Sequence, residues 1–123
     1  MGEKRISQAE WEVLNVLWDH PRSTAREVHA VLAATQAWNM KTVGTFLTRL
    51  VDKGVVAVKT DGPVFRYAAR VSRDKTVRRE SESFLERVFR GAAGPMLAHF
   101  CERTKLTPEE ITRLQEILRR RKG

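Results

Sequence analysis

Two β-rich runs, residues 55–60 and 64–69, flank Asp61-Gly62-Pro63, while every other patterned stretch of the chain has the period of a helix. An Asp-Gly pair between such runs signals a hairpin. Pro63 has no N–H to give the first position of the second strand, so the connection is expected to be wider than two residues. The fold class that follows is mainly α with a small β-hairpin.

The helices are marked at their starts. Ser7-Gln8-Ala9-Glu10 is a capping box, in which Ser7 takes a free amide of the first turn and Glu10 reaches back. Trp11, Leu14, Leu17 and Trp18 then recur at helical spacing, predicting a helix over about 7–19 that Asp19-His20-Pro21 breaks. A second box, Thr24-Ala25-Arg26-Glu27, opens a helix near 24–34 with Ala25, Val28, Val31 and Leu32 on one face. After a polar connector containing Trp38, Val43, Phe46, Leu47 and Leu50 define a third helix over about 40–53, closed by Gly54. Beyond Ser72 the pattern is helical again. Gly91 and Gly94-Pro95 interrupt it before a short helix near 95–103, and Thr107-Pro108-Glu109-Glu110 is a third capping box with proline in its favoured place.

Helix, helix, connector, helix, hairpin is the order of a winged helix-turn-helix, whose last helix enters the major groove of DNA while the hairpin touches the backbone nearby. The charge agrees. The chain carries a formal +8, and it is unevenly spread: residues 1–37 sum to −1 (four basic, five acidic), residues 38–70 to +4 (six and two), and residues 71–123 to +5 (thirteen and eight). On the third helix Lys41, Thr42, Thr45, Thr48 and Arg49 avoid the apolar stripe, with Thr42, Thr45 and Arg49 on a common side. Threonine can bond to phosphate or base and pack its methyl on thymine, and Arg49 can fork onto phosphate or guanine. Lys59 and Arg66 on the hairpin are suited to phosphate. Gly44 costs roughly 1 kcal/mol relative to alanine inside a helix, which implies close approach by another backbone, either DNA or a neighbouring helix.

The C-terminal third points to self-association. Residues 91–123 are too few to bury Met96, Leu97, Phe100, Leu106, Ile111, Leu114 and Leu118 alone. A second copy of the segment is the simplest cover, and a two-fold dimer would present two recognition helices to a palindromic site. The single cysteine, Cys101, excludes an internal disulfide and a cysteine-based metal cluster. No apolar run approaches the roughly 20 residues of a membrane span, and the N-terminus lacks the apolar core of a secretory signal, so a reducing cytoplasm is expected, with no membrane insertion. His20, His29 and His99 are scattered, with no nucleophile–base spacing, phosphate loop or metal-ligand pair near them, so neither enzymatic chemistry nor a cofactor is expected. A winged helix used only for protein contact would carry an apolar or acidic recognition face. A sequence-neutral architectural DNA binder would share the charge pattern and differ in having no preferred site.

Over nearly its whole length the chain resembles the BlaI/MecI family of penicillinase repressors. The resemblance is carried by Ile6-Ser7-x-Ala9-Glu10-Trp11-Glu12-Val13-Leu14-x-x-Leu17-Trp18, by Thr24-Ala25-x-Glu27-Val28, and by Trp38-x-x-Lys41-Thr42-Val43-x-Thr45-x-Leu47-x-Arg49-Leu50-x-x-Lys53-Gly54. Tyr67 and Phe84-Leu85-x-x-Val88-Phe89-x-Gly91 add to it. It implies a homodimeric repressor of operator DNA, with residues 1–71 a winged-helix DNA-binding domain and 72–123 a helical dimerisation domain that uses Phe84, Val88 and Phe89 as well as the apolar residues above. It also implies release by proteolysis after a membrane-bound metalloprotease sensor detects a β-lactam. The family's cleaved Asn-Phe bond falls here on His99-Phe100, with the first residue changed. The wing departs too, carrying Pro63 where the family often has arginine and leaving Arg66 as the substitute. Relatives that respond to copper use a C-terminal cysteine cluster, which Cys101 alone cannot form.

Overall fold

The computed structural model describes residues 5–122; the first four residues of the stretch read above for a leader lie outside them. Contacts divide the chain into two compact units, one ending at Thr76 and the other beginning at Val77.

In the first unit, helix α1 spans Gln8–Asp19, α2 Ala25–Leu32 and α3 Met40–Asp52. Both expected capping boxes are made: the Glu10 amide donates to Ser7 Oγ at 3.1 Å and the Ser7 amide to Glu10 Oε1 at 3.0 Å, with the same reciprocal bonds between Thr24 and Glu27. At the far end of α3, Gly54 takes a left-handed φ of 79°. That lets its amide reach the Val51 carbonyl and the Val55 amide reach the Leu50 carbonyl, a complete Schellman stop. Val55 and Val56 thereby enter the core as the chain turns into the sheet.

Strands β2 (Val56–Asp61) and β3 (Val64–Ala69) pair antiparallel with Asp61 opposite Val64. The connection is therefore only Gly62-Pro63, two residues, and the expected wider loop is corrected. Gly62 at φ 61° supplies the positive angle that a type II′ turn needs first, and proline's fixed negative φ suits the second position. The hairpin also gains a third strand. β1, Ser23–Thr24, lies along the free edge of β3, with Ser23 opposite Tyr67 and Thr24 opposite Arg66, giving the order β1-β3-β2.

The core is formed by Val13, Leu14, Val16 and Leu17 of α1, Val28 and Leu32 of α2, Val43, Leu47 and Leu50 of α3, and Val55 and Val56. Val31, expected on the same face as Val28, is instead exposed beside His20 and Pro21. One charged pair enters this core: Glu10 is 2% exposed and is bonded by Lys53 Nζ, which also reaches the Arg5 carbonyl. The unit is closed by the Trp18 indole N–H, which donates to the Val71 carbonyl at 3.0 Å, and by Arg73, which pairs with Asp19 at 2.9 Å and lies 5.2 Å from the Trp18 ring centroid.

Helix α4 spans Arg73–Phe89, and the second unit takes it up from Val77, followed by α5 (Ala93–Arg103) and α6 (Pro108–Lys122). Gly91, at φ 83°, ends α4. The third capping box is also made, with the Thr107 amide 2.8 Å from Glu110 Oε1 and the Glu110 amide 3.1 Å from Thr107 Oγ1. Phe84 meets Phe89 and Phe100 at centroid distances of 6.0 and 6.2 Å, and His99 contacts both Phe89 and Phe100. No apolar side chain among the described residues of this unit is fully buried.

Candidate nucleic-acid interface

Helix α3 separates its two faces cleanly. Val43, Leu47 and Leu50 are fully buried, while Lys41, Thr45, Thr48 and Arg49 are exposed and Thr42 is half-buried. The helix begins on Asn39, whose Oδ1 accepts the Thr42 amide at 2.8 Å. This cap satisfies one free amide and leaves the positive end of the helix dipole next to Lys41. Thr45 Oγ1 donates to the Lys41 carbonyl at 3.0 Å. Its hydroxyl hydrogen is thus already used within the helix, and what it offers outward is a lone pair and a methyl group. Gly44 is open on its outer side: a Cβ there would meet nothing within 4 Å. Among the described residues of its own unit, no neighbouring helix therefore supplies the close approach expected for this glycine.

Arg49 has a support that sequence reasoning missed. Its guanidinium carbon stands 5.9 Å from the Phe46 ring centroid, Phe46 packs edge-on against Trp38 at 5.0 Å, and the Trp38 carbonyl is bonded by His29 Nε2 at 2.8 Å. A chain of contacts from α2 through the connector thus holds the aromatic platform over which Arg49 lies. The one signal for it was an indole in an otherwise polar connector.

On the wing, Lys59 is exposed and stands opposite Arg66 in the ladder. Arg66 is engaged within the chain: Nε donates to Asp61 Oδ2 at 2.6 Å, and one terminal nitrogen lies 3.1 Å from the Arg22 carbonyl and 3.5 Å from Glu27 Oε1. The Thr24 amide above all holds the Glu27 carboxyl below its ordinary value; it outweighs the opposing effect of desolvation, and the Arg66 charge and the Thr24 hydroxyl add smaller help. α3 and the wing are thus brought into one unit, with Lys41, Thr42, Thr45 and Arg49 on the helix and Lys59 and Arg66 on the strands.

The residues expected to cover a second copy lie in the second unit. Val88, Leu97, Phe100, Ile111 and Leu118 are exposed, whereas Phe84, Phe89, Met96 and Leu114 are half-buried. The His99–Phe100 bond lies within α5, and both residues are exposed. Among the described residues no helix is long and apolar enough to cross a membrane, and no group of three or more potential metal ligands occurs.

The family profile described as penicillinase repressor matches residues 6–120. The chain belongs to the penicillinase repressor family. The penicillinase repressor of Bacillus licheniformis is 36% identical over 119 residues, covering 97% of this chain and 93% of that one. The methicillin resistance regulatory protein MecI of Staphylococcus aureus (strain N315) is 31% identical over 116 residues, covering 94% of each. Among solved structures, the monomeric form of B. licheniformis BlaI in complex with the blaP half-operator superposes with a TM-score of 0.51 at 36% identity, covering 59% of this chain and 89% of that chain. The winged-helix architecture read from the sequence is the one observed, and the family is one of DNA-binding transcriptional repressors, not of enzymes.

Proposed function

We propose that the chain is a cytoplasmic homodimeric repressor that occupies a palindromic operator. α3 lies in the major groove with Lys41, Thr42, Thr45 and Arg49 toward phosphates and base edges, and the wing contributes through Lys59, which stands opposite Arg66. The observation that carries this reading is the division of α3 into a fully buried apolar face and an exposed polar, positive one within a winged-helix unit. The BlaI relative bound to a half-operator supports it, because that protein shares the fold and 36% of its residues over the aligned part. Residues 1–71 act as the DNA-binding domain and residues 72–123 as the dimerisation domain.

The reading of a dimer rests on the lack of a core in the second unit: apolar side chains on α4, α5 and α6 stay open to solvent in the single chain. Relief of repression follows the family resemblance, through cleavage between His99 and Phe100 by a membrane-bound metalloprotease sensor of β-lactams. That bond lies inside a helix, so cleavage requires local opening of α5.

Footprinting the purified protein on DNA upstream of its own gene tests the reading. Two protected half-sites related by two-fold symmetry and spaced by whole helical turns are expected. Uniform protection with no preferred site would instead mark a sequence-neutral architectural binder.

A further inference from the structure

The guanidinium of Arg66 ties together three parts of the winged domain. From β3 it bonds Asp61 at the tip end of β2, the Arg22 carbonyl ahead of β1, and Glu27 in the first turn of α2. The backbone of Arg66 is central as well, standing opposite Thr24 on one side and Lys59 on the other. Glu27 Oε1, the atom Arg66 reaches, also accepts the Thr24 amide at 2.8 Å and so belongs to the cap that starts α2. The Arg22 carbonyl is presented by a left-handed backbone, φ 65°, which a non-glycine residue holds only where its surroundings fix it.

Two features separate this arrangement from a charge kept for DNA. A guanidinium carries donors in a rigid fork and can address acceptors on separate elements at once, whereas an ammonium is a point charge. With Asp61 and Glu27 both paired to it, Arg66 brings no net positive charge to the wing. Lys59, its neighbour across the ladder, is exposed and has no ion-pair partner among the described residues.

Resting on the DNA-binding reading above, we propose that Arg66 is a positioning residue: it fixes the wing against the first turn of α2, and so sets where Lys59 meets the DNA backbone, without contacting phosphate itself.

The test compares operator affinity for Arg66→Ala, Arg66→Lys, Asp61→Asn and the Asp61→Asn/Arg66→Ala pair. Arg66→Lys should lose as much affinity as Arg66→Ala, about two- to fivefold, the scale of an exposed ion pair. Asp61→Asn should help binding less when Arg66 is present than when it is alanine, because only then does it also loosen the wing. A direct phosphate contact predicts the opposite twice over: lysine would retain affinity, and Asp61→Asn would help more when Arg66 is there to be released. Either reversal overturns the assignment.

Amide hydrogen exchange on the free protein keeps this separate from the DNA reading. Arg66→Ala should speed exchange in β2 and β3 while α1 and α3 stay protected, whether or not DNA binds. If α1 and α3 lose protection too, Glu27→Gln serves instead, since glutamine preserves the capping box while removing the charge that faces Arg66. Unchanged wing exchange in both variants would overturn the proposal.

Discussion

Replacing Lys53 with methionine would leave the Glu10 carboxylate buried without its cation. Glu10 is 2% exposed and the Lys53 side chain 18%. Removing one partner of a buried pair costs about 3–5 kcal/mol. Here the Ser7 amide still bonds the carboxylate, and the opening at Lys53 admits water, so a loss of about 2–3 kcal/mol is expected at pH 7. In a domain of this size that lowers the melting temperature by roughly 10–20 °C. The pH dependence is the sharper signature. Burial alone would push the Glu10 pKa up, but the Lys53 hydrogen bond, the Ser7 amide and the Lys53 charge together hold it below the ordinary 4.5. Glu10 thus contributes stability to the parent protein that is present above that ordinary value and is lost as pH falls through the lower folded one. Without Lys53 burial prevails, the folded pKa rises, and protonation relieves the buried charge. The gap between parent and Lys53→Met should therefore narrow as pH is lowered from 7 toward 4. Urea unfolding of both proteins across that range measures it. A gap below about 1 kcal/mol at pH 7, or one that does not change with pH, would refute the reasoning.

Other substitutions probe the interface and the second unit. Arg49→Ala should weaken operator binding by about 1–3 kcal/mol and relax preference at one base position if it reads a base, measured by fluorescence anisotropy on operator variants. Gly44→Ala should act in opposite directions, stabilising the free protein by roughly 1 kcal/mol in a thermal melt, since the added Cβ meets nothing within 4 Å among the described residues, while weakening operator binding where DNA comes close. Leu114→Asp places a charge on the apolar stripe of α6 and should convert dimer to monomer in sedimentation equilibrium; an unaltered dimer would contradict the role given to that helix.

Local chemistry was what the sequence displayed most openly. The three capping boxes need only residues three apart, and each forms both of its bonds. The stripe Val43, Leu47, Leu50 located the core face of α3 and, by difference, the polar face. Features that depend on distant partners stayed hidden. β1 is two residues long and has no alternation of its own; it exists because the edge of β3 passes beside it. Glu10 is fully accounted for locally as a capping residue, so nothing nearby announces its partner 43 positions later. Arg66 displayed a charge, and only the folded arrangement reveals that Asp61 and Glu27 are placed to receive it. Pro63 suggested a widened turn because it lacks an amide hydrogen, yet the second position of a II′ turn makes no use of one.

The most direct test of the central claim is the salt dependence of binding to a duplex carrying the protein's own upstream region. If two protomers each bring Lys41, Arg49 and Lys59 to phosphates, the logarithm of the association constant should fall linearly with the logarithm of salt concentration, with a slope of about −5. Affinity that is absent, or indifferent to salt, would contradict the assignment of α3 and the wing to DNA.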